Sequence, residues 1–179
     1  MKLTEQQLER AIYSIWDFQQ ALSALTFLLE DCDFDRKYDK VSLRRFRCYE
    51  STLIISICRP FEATRSGLRA LDIKLTNHEK ALVKKVKDLR GAIIAHSAEE
   101  EMHFRVSTFP VLDGDFNIPH FQFNEGLYLD KSELLELEVF LRNLKEKIAK
   151  YFFKVAQEKP ELLEKYREPK SFNFSSKNA

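Results

Sequence analysis

Glycine and proline are scarce in this sequence, which contains four Gly and five Pro among 179 residues. Sandwiches, barrels and doubly wound sheets need many tight turns, and these two residues supply most of them. The scarcity therefore favours long helices. Hydrophobic residues make up 44% of the chain and charged residues 32%. This balance suits one buried core inside a solvated shell and excludes a disordered or fibrous protein.

Apolar residues recur every three or four positions in the N-terminal third, as they do on the buried stripe of an amphipathic helix. The first helix is predicted to begin at Thr4, whose side chain forms a capping box with Gln7. A second helix is predicted from about 39 to 59. Pro60 should stop or kink it, because proline lacks the backbone donor.

The C-terminal half combines two helical segments with a change of pattern between them. A third helix is predicted to open at Thr76 with another capping box. Over the segment 103–129 alternating apolar residues surround an Asp-Gly turn signal, which predicts a two-stranded hairpin. A last long helix should start at Asp130 or Ser132, and a short helix should follow at 161–166.

These elements predict an all-α fold, an up-and-down bundle of four to five helices with a small β-hairpin insertion before the last long helix. The bundle is assigned residues 1–168, and the polar segment 169–179 is predicted to be a disordered tail. No apolar run is long enough for a transmembrane helix, and the N-terminus lacks the apolar segment of a signal peptide.

Charge and cysteine content narrow the classes of partner. Lys and Arg number 29 and Asp and Glu number 28, so any affinity for nucleic acid must come from a local patch. No membrane partner is expected. The three cysteines lack CxxC spacing, and we interpret them as free thiols in a reducing cytoplasm. Phosphate loops, GxSxG elbows and HExxH motifs are missing from the sequence, and no cofactor is predicted.

One constellation in the third helix points to chemistry, the segment Asp-Leu-Arg-Gly-Ala-Ile-Ile-Ala-His-Ser at 88–97. It resembles the HEPN superfamily, whose signature is an Arg followed after four to six residues by a His. The Ala-His-Ser ending is most similar to abortive-infection and toxin-type members. The resemblance implies a helical bundle that works as a homodimer and a metal-independent endoribonuclease. It also implies a toxin–antitoxin or phage-defence setting, with an antitoxin protein as a partner.

By this resemblance, His96 is the general acid–base and Arg90 holds and neutralises the scissile phosphate. The residue types suit these roles, because histidine titrates near neutral pH and the arginine fork matches phosphate oxygens. Catalytic members usually carry a polar residue, often Asn, after the Arg, whereas this chain has Gly91. The prediction therefore includes an inactive, RNA-binding relative of the ribonucleases.

The spacing of the two motif residues poses a geometric problem. On a regular helix, with about 100° per residue, positions 90 and 96 point about 120° apart and do not share a face. Both side chains can reach one phosphate if the helix distorts or if a second subunit supplies one of them. Gly91 suits either solution, since glycine weakens a helix by roughly 1 kcal/mol relative to alanine and permits two backbones to approach closely.

Further residues are predicted to bind RNA beside the motif. Arg59 and Arg65 follow the second helix and would join Arg90 in a phosphate-binding patch, with Phe61 available for base stacking. Pairing with nearby acidic residues such as Glu50 is the ordinary alternative for arginines on helices. The predicted binding residues are Arg59, Arg65, Gly91 and Ser97.

A second hypothesis is a non-catalytic helical interaction module. In that case Arg90 pairs with Asp88 or Asp72, and Gly91 is a small residue where two helices cross closely. The aromatic residues of the predicted hairpin would form a contact surface, since an isolated two-stranded hairpin is marginally stable in water.

A third hypothesis is a metal-dependent bundle enzyme, because two histidines and a carboxylate can bind zinc or iron. The ligands would be His96, Glu99 or Glu100, and His103, which share a face if the helix continues. Metal sites in helical bundles normally draw ligands from several helices. No second helix of this chain carries a matching histidine motif, so no metal is predicted.

Overall fold

A computed structural model of the protein describes residues 4–61, 73–95, 104–112, 116–123, 126–164 and 166. Most of these residues are helical, and a two-stranded antiparallel hairpin precedes the last long helix, as the sequence predicts. The helices are α1 (Glu5–Asp31), α2 (Lys40–Cys58), α3 (Asn77–Leu89), α4 (Lys131–Glu158) and α5 (Glu161–Glu164). The strands are β1 (Phe104–Val111) and β2 (Phe116–Phe123). A 3₁₀ turn (Arg59–Phe61) follows α2, and a π-helix (Arg90–Ala95) follows α3.

The helices begin where side chains satisfy the first backbone N–H groups, which lack partners within the helix. The Oγ1 of Thr4 accepts from the Gln7 N–H at 3.3 Å, and the Oε1 of Gln7 accepts from the Thr4 N–H at 2.9 Å. Thr76 forms an equivalent capping box at α3. Both predicted boxes are confirmed. At α4 the N-cap residue is Asp130 rather than Ser132.

The hydrophobic core lies where α1 packs against both α2 and α4. Helix α3 packs against α2 and adds Val83 and Val86 to the same core. An ion pair between Lys147 and Glu79, at 3.2 Å, also joins α3 to α4. The largest fully buried side chains are Phe18, Phe46, Leu25, Leu28, Leu53, Ile54, Ile57, Leu134, Leu137, Leu141, Leu144 and Ile148. The end of α3 is therefore held at the side of a well-packed core.

The ends of the elements agree with the sequence in most places. Helix α2 stops at Cys58, and Pro60 lies in the 3₁₀ turn that follows. Helix α5 ends two residues earlier than predicted, with Tyr166 in a turn. The polar tail at 169–179 lies outside the described residues. Within the described ranges, no helix has the length and apolar character needed to cross a membrane.

Candidate functional site

The hydrogen-bond pattern of the third helix changes at the motif. The α-helix ends at Leu89, and a π-helix continues from Arg90 to Ala95, which we call the Arg90 end of α3. The Arg90 N–H donates to the carbonyls of both Val86 and Lys87. A π-turn closes its hydrogen bond over one more residue than an α-turn, so it re-aims every side chain that follows. The sequence leaves two ways for Arg90 and His96 to reach one phosphate, a distorted helix or a second subunit. The structure contains a distortion at Arg90–Ala95.

Gly91, the second residue of the π-helix, faces open space. A Cβ built on it would meet no atom of the described residues within 4 Å. A close crossing of two helices would bring a neighbour much nearer, so this part of the interaction-module hypothesis is wrong for the described residues.

Three exposed lysines lie on one face of α3, directly before the Arg90 end. Lys80, Lys84 and Lys87 fall within about 60° of one another around the helix axis, and we call this surface the lysine face. Lys84 pairs with Asp88 at 2.6 Å. A shallow groove beside the lysine face runs from α3 to the π-helix; its lining residues are Ala81, Lys84, Lys85, Asp88, Leu89 and Ala92.

Several predicted site residues lie outside the described residues. These are His96, Ser97 and Arg65, together with the alternative metal ligands Glu99, Glu100 and His103. Asp72, one of the two acidic partners considered for Arg90, also lies outside them. Arg90 itself is half-buried. In the part of the chain that is described, no three His, Cys, Asp or Glu side chains cluster closely enough to hold a metal ion.

The structure gives the predicted binding residue Arg59 an acidic partner. Its Nη1 lies 3.3 Å from Oδ1 of Asp17 on α1, and the side chain of Asp17 is only 14% exposed. Burial raises the pKa of the Asp17 carboxyl, although Arg59 opposes this by hydrogen bonding and charge. Arg59 remains 60% exposed. A phosphate at Arg59 would therefore have to share the guanidinium with Asp17.

Phe61, which is predicted to stack on RNA bases, packs beside the core. Its ring packs against Phe18, with 6.1 Å between centroids, and against Phe140 at 6.3 Å. The 3₁₀ turn after α2 directs this side chain toward the core, where it is partly buried. These contacts give Phe61 a role in packing, and its stacking on RNA stays a prediction.

Sequence reasoning missed a buried charged site, the Glu50 cluster, formed by Glu50, Arg47 and the backbone of Tyr128 and Leu129. Glu50 Oε2 lies 2.6 Å from Nη1 of Arg47. Its Oε1 accepts hydrogen bonds from the N–H groups of Tyr128 at 2.7 Å and Leu129 at 2.8 Å. The guanidinium of Arg47 lies 3.7 Å from the centre of the Tyr128 ring. This network fastens the chain between the hairpin and α4 to α2.

The buried environment of Glu50 shifts the pKa of its carboxyl. The residue has no exposed surface. Burial raises the pKa of its carboxyl, and the hydrogen bonds from Leu129, Tyr128 and Arg47, together with the Arg47 charge, oppose that rise without cancelling it. A sequence signal existed, because Glu50 follows Phe46 by four residues and precedes Leu53 and Ile54, so it falls on the apolar stripe of α2.

Comparison of the chain with models of protein families, with curated proteins and with solved structures gives no match.

Proposed function

We propose that this protein is a HEPN-type, metal-independent endoribonuclease, an up-and-down helical bundle that works as a homodimer in the cytoplasm. The observation that supports it most strongly is the change from α-helix to π-helix at Arg90. π-turns are rare and occur often at functional sites. This one begins at the arginine of the motif and includes the glycine that follows it.

In this proposal the two motif residues divide the chemistry of RNA cleavage. The 2′-hydroxyl of the substrate attacks the adjacent phosphorus, His96 moves the proton, and the leaving 5′-oxygen is protonated in turn. Arg90 stabilises the negative charge that develops on the phosphorane oxygens. No metal is needed, because a cationic side chain and a proton carrier supply both requirements.

The lysine face gives RNA an approach to the Arg90 end of α3. The whole chain has a formal net charge of only +1, so RNA phosphates would be attracted by a local cluster of positive charge and not by the chain as a whole. Lys80, Lys84 and Lys87 are exposed and lead toward Gly91, where there is open space. Substitution of Lys80 and Lys87 by Gln should weaken RNA binding and flatten its salt dependence.

Cleavage of a labelled single-stranded RNA in EDTA tests the proposal. His96→Ala should lower the rate by about 10²–10⁴-fold and leave the RNA affinity nearly unchanged. Arg90→Ala should weaken both the rate and the affinity, and Gly91→Asn should speed cleavage by restoring the usual polar residue. His78→Ala is the matched control, because His78 is 69% exposed on the opposite end of α3. Binding without cleavage would identify an inactive relative. A protein that neither binds nor cleaves RNA would contradict the proposal.

Mixing two inactive variants shows whether the active site spans two subunits. If Arg90 and His96 of one site come from different chains, mixed dimers of Arg90→Ala and His96→Ala contain one intact site. Random subunit exchange should then restore about one quarter of the wild-type rate. No recovery would place both residues of a site in the same chain.

A second candidate function is a non-catalytic interaction module, to which an antitoxin or another protein would bind. The observation that favours it is the hairpin, where large apolar side chains such as Phe116 and Phe123 are more than half exposed. Surfaces of this kind usually mark sites of protein contact. RNA assays separate the candidates, since the interaction module requires no RNA binding.

A further inference from the structure

Large aromatic side chains lie on the outer side of α1. Tyr13, Trp16 and Phe27 are each at least half exposed. Residues 13, 16, 20, 23 and 27 are spaced by three and four positions in turn, so they form one line along the helix. We call this line the α1 outer stripe, and its members are Tyr13, Trp16, Gln20, Ser23 and Phe27. The opposite side of α1 lies in the core, where Phe18 and Leu25 are buried.

The outer side of α1 also lacks the charges of a helix that faces water. Within residues 11–29 the one charged residue is Asp17, although 32% of the whole chain is charged. Asp17 is mostly buried and pairs with Arg59. By contrast, exposed residues of α4 form ion pairs four positions apart, such as Lys150 with Glu146. A helix without charges on its outer side as well as on its buried side is expected to be covered.

Helix α2 widens this uncharged surface on one side of the stripe. The ring of Tyr49 lies beside Phe27, with 5.7 Å between the ring centres. Thr52 follows three residues later and is exposed. Arg45, one turn before Tyr49, pairs with Asp31 of α1 at 3.6 Å, so the cation at this end of the surface has an acidic partner.

A second copy of α1 can cover the stripe. Alternating spacings of three and four residues are those of the contact positions in a coiled coil. If two copies of α1 run antiparallel about a twofold axis perpendicular to both helices, their outer stripes face each other along the whole contact. With the axis between Gln20 and Ser23, Trp16 lies opposite the partner's Phe27. The large rings then pack at the two ends of the contact, and the smaller polar side chains meet in the middle.

Charge favours the antiparallel orientation over the parallel one. The line of the stripe continues to the exposed Glu9 before Tyr13 and to the exposed Glu30 after Phe27. A parallel pair would place each of these carboxylates against its own copy, and like charges in such positions oppose association. In the antiparallel pair Glu30 lies opposite the partner's Tyr13, whose hydroxyl can donate a hydrogen bond to the carboxylate.

The exposed aromatic area suits a dimer interface of ordinary size. At roughly 200 Å² for each complete side chain, of which half to two thirds is exposed, Tyr13, Trp16 and Phe27 offer roughly 350 Å² per copy. Each partner in a standard interface buries about 800 Å², and roughly 450 Å² of this is apolar. The three rings therefore supply about three quarters of the apolar part, and the partly exposed ring of Tyr49 adds to it.

We infer that two copies of this chain associate through antiparallel packing of their α1 outer stripes, with Trp16 of each copy against the partner's Phe27. This inference does not depend on the proposed ribonuclease activity, which is assayed separately with RNA. The interface also lies on a different helix from Gly91, where an active site shared by two subunits would need its twofold contact.

Sedimentation equilibrium tests the assembly. The wild-type chain should be a dimer at micromolar concentration, and Trp16→Ser and Phe27→Ser should each raise the dissociation constant at least 100-fold, because each substitution changes the dimer twice. Val139→Ser and Phe153→Ser, at exposed apolar positions of α4, are matched controls that should leave it unchanged. Circular dichroism should show that the helices persist in every variant. Trp16 is the one tryptophan of the chain, so its emission should shift to shorter wavelength as the dimer forms.

Charged substitutions test the antiparallel register. Trp16→Lys and Phe27→Glu should each be monomeric alone, because either homodimer would bury two unpaired charges. The two proteins should associate when mixed, since the introduced lysine lies opposite the introduced glutamate and the second contact of Trp16 with Phe27 stays intact. Trp16→Lys mixed with Trp16→Glu should not associate, and association of that pair instead would overturn the antiparallel arrangement.

Two results would overturn the interface as a whole. A monomeric wild type would leave the α1 outer stripe to a different protein or to another segment of this chain. A dimer that Gly91→Leu splits, and that Trp16→Ser and Phe27→Ser leave intact, would place the contact at the Arg90 end of α3.

Discussion

The Glu50 cluster and the Arg90 end of α3 both place charged or polar groups beside the core, but they differ in hydrogen bonding and in local packing. Both carboxylate oxygens of Glu50 are engaged, one by two backbone N–H groups and the other by Arg47. At the Arg90 end the backbone leaves the α-helical pattern, and Gly91 faces open space. A saturated buried cluster stabilises a fold, whereas an open, irregular segment beside exposed lysines has room for a ligand.

Removal of the Glu50 carboxylate should have the largest effect on stability. Glu50→Ala leaves Arg47 and two buried N–H groups without their acceptor, so it should lower the free energy of unfolding by about 3 kcal/mol. Urea denaturation measures this. Glu146→Ala is the matched control, since Glu146 also pairs with a cation on its own helix but is largely exposed. Equal effects of the two substitutions would mean that the Glu50 cluster is not structural.

The pH dependence of stability gives a second test of the cluster. Because burial raises the pKa of Glu50 in the folded state above its unfolded value, the folded state favours the protonated form. The contribution of protonated Glu50 to stability is complete below the unfolded pKa, and it declines as the pH rises through the folded pKa. Glu50→Gln cannot titrate. The stability of wild type minus that of Glu50→Gln should therefore fall as the pH rises above the ordinary glutamate pKa of 4.5.

A smaller effect is expected at the ion pair between Arg59 and Asp17. Arg59→Ala leaves a mostly buried carboxylate without its cation, and the cost should be about 1 kcal/mol, reduced by solvent screening of the exposed guanidinium. Asp17→Asn introduced into Arg59→Ala should recover part of the loss. If Arg59→Ala instead changes RNA affinity and leaves stability untouched, Arg59 belongs to the binding surface and not to the fold.

The smallest effect should follow Gly91→Ala. Among the residues that the structure describes, the added Cβ meets no atom within 4 Å, and alanine has less backbone entropy to lose than glycine. Thermal unfolding should show a gain of about 0.5–1 kcal/mol. A loss of stability would indicate that the Arg90 end needs the conformational freedom of glycine, and it would strengthen the link between the π-turn and function.

Local signals in the sequence predicted much of the fold. The capping boxes at Thr4 and Thr76 are confirmed because both partners lie three residues apart, where sequence spacing determines contact. The hairpin is confirmed because alternation and turn residues are also local. Helix spacing located α2 and α4 within a residue or two.

The failures involve contacts between residues that are distant in sequence. Glu50 binds backbone groups 78 and 79 residues away, and no local pattern specifies that partner. The packing of Phe61 on Phe18 of α1 and Phe140 of α4 also could not be predicted, because both partners are far away in the sequence. The spacing of Arg90 and His96 allows either a distorted helix or a site shared by two subunits, and it does not specify a π-helix that begins at Arg90. The roles of Arg90 and His96 stay predictions.

The chemical ends of the cleaved RNA test the proposed function most directly. If His96 and Arg90 promote attack by the 2′-hydroxyl of the substrate, wild-type protein in EDTA should produce fragments ending in a 2′,3′-cyclic phosphate, with a 5′-hydroxyl on the other fragment. His96→Ala should produce neither end. Fragments with 3′-hydroxyl and 5′-phosphate ends, or cleavage that requires a divalent metal or persists undiminished in His96→Ala, would contradict the proposal.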